Sequence, residues 1–121
     1  MTSYSQTLTS ISELKWKYRV ILVNGNESDL GVLFKTDSDI VDRDVIWFLF
    51  IDGSIHSNTD QKLSEILGSK IEKKHFKEGV NAVLIGKDGT VKSKQVNLNL
   101  KELMALIDTM PMRIQEMQRK L

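Results

Sequence analysis

Val83-Leu84-Ile85-Gly86-Lys87-Asp88-Gly89-Thr90-Val91-Lys92 decides the fold: an apolar run halts at the four residues Gly86, Lys87, Asp88 and Gly89, then a second run begins. Asp-Gly between two such runs marks a hairpin. Glycine takes positive φ without a Cβ clash, and the aspartate carboxylate can accept from nearby backbone N–H groups. The set resembles a phosphate loop only superficially, because it lacks the length and the following helix of one. Residues 98–108 then read as a helix, so a ββα unit fills the second half of the chain.

Outward from the hairpin, three more segments fix the order of elements. Residues 16–23 (WKYRVILV) pass from alternation into a continuous apolar run, as suits a strand entering a sheet from its edge. Residues 45–51 (VIWFLFI) are seven consecutive apolar residues closed by Asp52-Gly53, and are expected to form the central strand. The other two strands span residues 81–85 and 90–96. Between the first two lies residues 27–42, a helix expected to be short or irregular because Gly31 costs about 1 kcal/mol relative to alanine. Ser57, Asn58, Thr59 and Asp60 are N-cap candidates for a second helix carrying Leu63, Ile66 and Leu67. In phase, that helix would place Lys70, Lys74 and Lys77 on the apolar face, so it is expected to stop or change face near Gly68.

The resulting order, β-α-β-α-β-β-α plus a C-terminal helix, is that of an α/β, thioredoxin-like fold with a four-stranded mixed sheet. Residues 1–12 read as a loose arm and 13–121 as one domain, long enough to bury a core without staples. The last helix starts beside Pro111, where a missing N–H costs little. Met110, Ile114, Met117 and Leu121 recur at i, i+4, i+7 and i+11, with Met112 nearby. Arg113, Glu116 and Lys120 lie away from that stripe, which either docks on its own domain or meets a second copy or a protein partner.

Two segments of this framework, residues 84–89 (LIGKDG) and 107–113 (IDTMPMR), resemble a family of thioredoxin-like domains of unknown function called P-DUDES. Trp16, Arg19 and Asp42-Arg43-Asp44 fit the same pattern, and the resemblance runs over about residues 14–119. It implies a fold related to the peroxiredoxins, found alone in bacteria and as a module of sushi-repeat secreted proteins in animals. Many members carry a leader peptide. Here the polar N-terminus has neither a basic start nor an apolar run, so a cytoplasmic location is expected, with no membrane span.

The chain contains no cysteine, which removes thiol redox catalysis, disulfides and thiolate metal sites. In a thioredoxin-like fold the reactive thiol stands where the first strand meets the first helix. That position reads residues 24–29 (NGNESD), an N-cap loop whose Glu27 and Asp29 would repel a phosphate. Ser28 has no base beside it in sequence. His56 and His75 stand nineteen residues apart, without the spacing of a metal motif, so neither a metal nor a cofactor is expected.

Arg19 interrupts an apolar strand, and a buried guanidinium must be paired. Asp42 and Asp44, flanking Arg43, are its candidate partners, either as an ion pair at the sheet end or as a ligand-binding cluster. Charge is also divided along the chain. Residues 27–60 hold eight acids against Lys35 and Arg43, and residues 61–101 hold nine lysines against four acids. Lys70, Lys73, Lys74, Lys77, Lys87, Lys92 and Lys94 are therefore either a solvated face or an anion-binding region; few aromatics are interleaved, which argues against nucleic acid. The leading functional reading is a redox-inactive module that binds a protein. The alternatives are a non-thiol enzyme at the Arg/Asp cluster and an anion or nucleic-acid binder at the lysines of residues 70–94.

Overall fold

The computed structural model describes residues 7–119. Five strands form one sheet: β1 (Arg19–Asn24), β2 (Val45–Ile51), β3 (Ser54–Ser57), β4 (Ala82–Ile85) and β5 (Val91–Gln95), in the order β3-β2-β1-β4-β5. β1 and β2 are parallel from Arg19↔Val45 to Asn24↔Phe50, and the other three pairings are antiparallel. The sheet thus has five strands rather than four. The additional one, β3, folds back from Asp52-Gly53, where both residues adopt positive φ. It is short, with Ile55 its one apolar residue, so it carries little of the apolar signal that marked the others. β2 is an interior strand, but the middle position belongs to β1.

β1 begins at Arg19, three residues later than the apolar pattern suggested. Trp16 takes a positive φ of 72° and stays exposed, with Lys15 Nζ 5.4 Å from its ring centre. The chain before it is anchored. Leu8 is fully buried and its N–H donates to Lys62 O at 2.7 Å, while Ser64 N donates to Leu8 O at 3.0 Å. A 3-10 turn, Ile11–Leu14, follows with Ser10 and Glu13 in a reciprocal cap. Residues 1–6 of the expected loose arm lie outside the described residues; residues 8–14 are held against the domain.

Strand alternation splits the core into two layers. On one face Val20, Leu22, Phe48 and Val83 pack under Leu8, Leu14 and helix α3 (Glu65–His75). On the other, Ile21, Trp47 and Leu84 pack under helices α1 (Glu27–Lys35), α2 (Asp37–Asp42) and α4 (Leu100–Asp108). The segment after β1 is irregular as expected, but it divides into α1 and α2 at Thr36, while Gly31 stays inside α1.

α3 does not stop at Gly68. Its buried stripe is Leu67, Gly68, Ile71 and His75, an i, i+4, i+8 row that leaves Lys70, Lys73 and Lys74 outside. Leu63 lies before the helix, so the phase inferred from it does not apply. A Cβ on Gly68 would stand 2.9 Å from Ile55 Cδ1, so glycine lets the helix approach β3 closely. Asn58 does not cap α3. Its side chain accepts from Trp47 N and donates to Val45 O, each at 3.0 Å, continuing the ladder where β3 ends.

Candidate functional site

The hairpin forms as the Asp-Gly turn requires. Gly89 takes φ +84°, Gly86 N donates to Thr90 O, and a bulge at Leu84/Ile85 sets the register. Asp88 accepts from Thr90 N at 3.0 Å, Thr90 Oγ1 at 2.8 Å and Lys92 Nζ at 3.0 Å. These bonds, the Thr90 amide first, hold its pKa down to about 2. Lys87 is the exception within the turn, because its side chain is buried.

Lys87 joins the hairpin to the polar cluster at the N-terminal end of β1. Its Nζ donates to Asp44 Oδ2 at 2.9 Å and to Glu116 Oε2 at 2.7 Å. Glu116, on helix α5 (Pro111–Arg119), also accepts both terminal nitrogens of Arg19, at 3.1 and 3.2 Å. Arg19 is 1% exposed, and its third bond goes to Arg43 O at 2.9 Å. The partner of Arg19 is therefore Glu116 rather than Asp42 or Asp44. A distance of 97 residues hid this pair; the available hint was Glu116 placed one helical turn after the arginine of the MPMR segment.

A second set of ions adjoins the first. Arg43 grips Asp108 with two bonds, 3.0 and 2.9 Å, and Arg113 donates to Asp108 at 3.3 Å and to Asp42 Oδ2 at 2.7 Å. Arg113 Nη1 lies 3.9 Å from Glu116, which links the two sets. Four cations, Arg19, Arg43, Lys87 and Arg113, thus face four carboxylates, Asp42, Asp44, Asp108 and Glu116. Burial raises the Glu116 pKa, but the bonds from Arg19 and Lys87 outweigh it and leave the carboxyl below its ordinary value. Asp108 is lowered as well, chiefly by Arg43. Both are held ionised, as suits a clamp; a general acid needs the opposite shift.

This arrangement revises the expected face of the last helix. Arg113 and Glu116, placed away from the contact in the apolar-stripe reading, point inward, while Met112 and Ile114 are exposed and Met110 and Met117 only partly covered. Charge pairing overrides the apolar phase because Arg19 and Lys87 are buried and need anions. Leu121 of that stripe lies outside the described residues. A cleft of about 510 Å³ runs beside the clamp, lined by Arg19, Lys87, Lys92, Met110 and Met112.

At the other end of β1, residues 24–29 form a cap. Asn26 accepts from Asp29 N at 3.2 Å and Asp29 Oδ2 accepts from Asn26 N at 3.1 Å, closing the start of α1. Ser28 is exposed there, with no histidine bonded to it. His56 is exposed on β3 and His75 buried on α3; among the described residues no three of His, Cys, Asp and Glu gather as metal ligands. No described helix is long and apolar enough to cross a membrane.

The lysines of α3 do not join the clamp. Lys70, Lys73, Lys74 and Lys77 line a separate groove of about 810 Å³, with Lys15 and the hairpin opposite. Lys87 points away to the clamp, Lys92 pairs with Asp88, and Lys94 lines neither place, so the basic residues named from sequence do not form one patch.

The chain belongs to a family described as a domain of unknown function (DUF4174), whose model matches residues 10–116. No curated protein and no solved structure matches it.

Proposed function

We propose that this chain is a non-catalytic binding module on a thioredoxin-like frame, and that it is a P-DUDES domain. The strand order β2-β1-β4-β5, with only β1 and β2 parallel and a closing hairpin, supports the thioredoxin-like reading; β3 is an addition at the β2 edge. The LIGKDG and MPMR segments support the family name, since Lys87 and Arg113 from them are both buried in one ion network.

The observation that carries the non-catalytic reading is the saturation of the clamp. Each of its eight charged groups has an opposite charge within the cluster, and its most buried carboxylate is held ionised by two cations. The β1–α1 junction meanwhile presents capping bonds in place of a thiol. The clamp fastens α5 to its own domain, so a protein partner would meet the exposed Met112 and Ile114 on its outer side. Anion binding at the lysine groove is the second reading, favoured by the cavity that gathers those side chains.

Purified protein tested with insulin disulfides and with hydrogen peroxide in metal-free buffer is expected to give no turnover. Sustained catalysis of either reaction overturns the non-catalytic reading.

A further inference from the structure

We propose that the groove between the Ile11–Leu14 turn, α3 and the β4–β5 hairpin binds a compact polyanion carrying two or more phosphate groups, held by Lys15, Lys70, Lys73, Lys74 and Lys77. This rests on the anion-binding form of the module reading. Five lysines line one cavity, and among the described residues the single carboxylate lining it, Asp88, is already bonded to Thr90 and Lys92, while Glu13 near Lys70 lies outside the lining. Lys73, Lys74 and Lys77 have no carboxylate partner among the described residues. Lys70 spends one donor on Thr9 O at 3.2 Å. Lys73 and Lys74 also suit the last turn of α3, where carbonyls accumulate negative charge. That effect does not account for Lys15 or Lys70, which lie outside the turn and face the same space.

The lining selects the class of anion. Lys70 and Lys74 are four positions apart on α3, about 6 Å along its axis, and Lys77 follows just beyond the helix end, a spread that suits several anionic groups better than one. Ammonium groups are compact charges with three donors, matched to phosphate oxygens. Among the described residues no Phe, Tyr or Trp lines the groove to stack a base; Leu67, Ile71 and Ile85 on its floor are nearly wholly buried, and the exposed Val91 and half-buried Ile11 supply its apolar surface. A volume of about 810 Å³ is that of a small-molecule site.

His75 supplies an internal reporter. It lines the groove, and burial, with Lys74 on its own helix and Lys94 on β5, lowers its pKa. Lys15, Lys70, Lys73 and Lys77 share the cavity with it, and Asp88 is the opposing charge. A bound polyanion reverses the local sign and must raise that pKa.

Tripolyphosphate titrated into the full chain by calorimetry and NMR is expected to bind at least about tenfold tighter than orthophosphate, to weaken with salt and to raise the His75 pKa. Lys73→Gln/Lys74→Gln/Lys77→Gln should lose about tenfold or more with unchanged circular dichroism, whereas Lys35→Gln/Lys101→Gln on the opposite face should bind as the parent does. Vesicles containing phosphatidylinositol bisphosphate separate the sources: recruitment points to a lipid headgroup, its absence to a soluble phosphate compound. Equal binding of tripolyphosphate and orthophosphate, equal loss in both variants, or an unmoved His75 overturns the site. Its failure with no turnover of disulfide or peroxide would leave the non-catalytic reading standing; turnover with tripolyphosphate bound would do the reverse.

Discussion

Replacing Glu116 by glutamine removes one negative charge from between two buried cations. In the parent, Arg19 is 1% and Lys87 8% exposed, and Glu116 holds the first with two bonds and the second with one. Breaking a buried pair by removing one partner costs about 3–5 kcal/mol, chiefly because the remaining charge stays desolvated. Here the loss is cushioned. Asp44 still accepts from Lys87, Arg43 O still accepts from Arg19, and the glutamine oxygen keeps one acceptor in place. The lower end, about 3 kcal/mol, is therefore expected for Glu116→Gln. Arg19 has no reserve, since its Nε is already buried without a partner among the described residues. Urea unfolding followed by circular dichroism reads the change as a lower midpoint at unchanged slope. A loss below about 0.5 kcal/mol, the range of an ordinary surface substitution, would refute the claim that α5 is clamped by this carboxylate.

Trp47→Ala should cost about 3–5 kcal/mol in the same melts, because the indole is 1% exposed and meets Phe34 edge-on at 5.8 Å. Trp47→Phe should cost much less, as it keeps most of the ring and removes an indole N–H that has no partner among the described residues. Gly89→Val is expected to destabilise by about 1 kcal/mol or more, since a β-branched residue must adopt φ +84° there. For pH, Glu116 and Asp108 sit below their ordinary values of 4.5 and 3.8 in the folded chain. Their stabilisation is full above those values and disappears as pH falls through the lowered ones, so acid melts should show the parent losing more stability than Glu116→Gln.

What the sequence disclosed and what it withheld follow from how far each signal travels. The Asp-Gly hairpin, the apolar run of β2 and the shortness of the first helix are local and could be read from neighbouring residues, although that helix ends at Thr36 and not at Gly31. β3 was hidden because Ser54–Ser57 is short, has one apolar residue and is stabilised through pairing with β2, supplemented by the Asn58 side chain. α3 runs through Gly68, where a stop or a change of face is expected from sequence, because Leu63 lies before the helix and sets no phase for it, and Gly68 accommodates close contact with Ile55. The need of Arg19 for an anion was legible from its place among apolar residues. Which anion would meet it was not, because Asp42 and Asp44, just before β2, were nearer candidates in sequence than Glu116. The apolar phase of residues 110–121 does not say which side of α5 faces the domain; the buried Arg19 and Lys87 turn Arg113 and Glu116 inward, because helical periodicity weighs burial of methionine but not the cost of two unpaired buried cations.

Titrating the side-chain carboxyls of Glu116 and Asp108 by carbon-13 NMR tests the central claim, that the charged cluster is a clamp and not an acid–base site. Both are predicted to titrate below their ordinary values of 4.5 and 3.8, because Arg19, Lys87 and Arg43 favour the ionised forms. Either carboxyl titrating above its ordinary value would mark a protonated acid held within the cluster and would contradict the account.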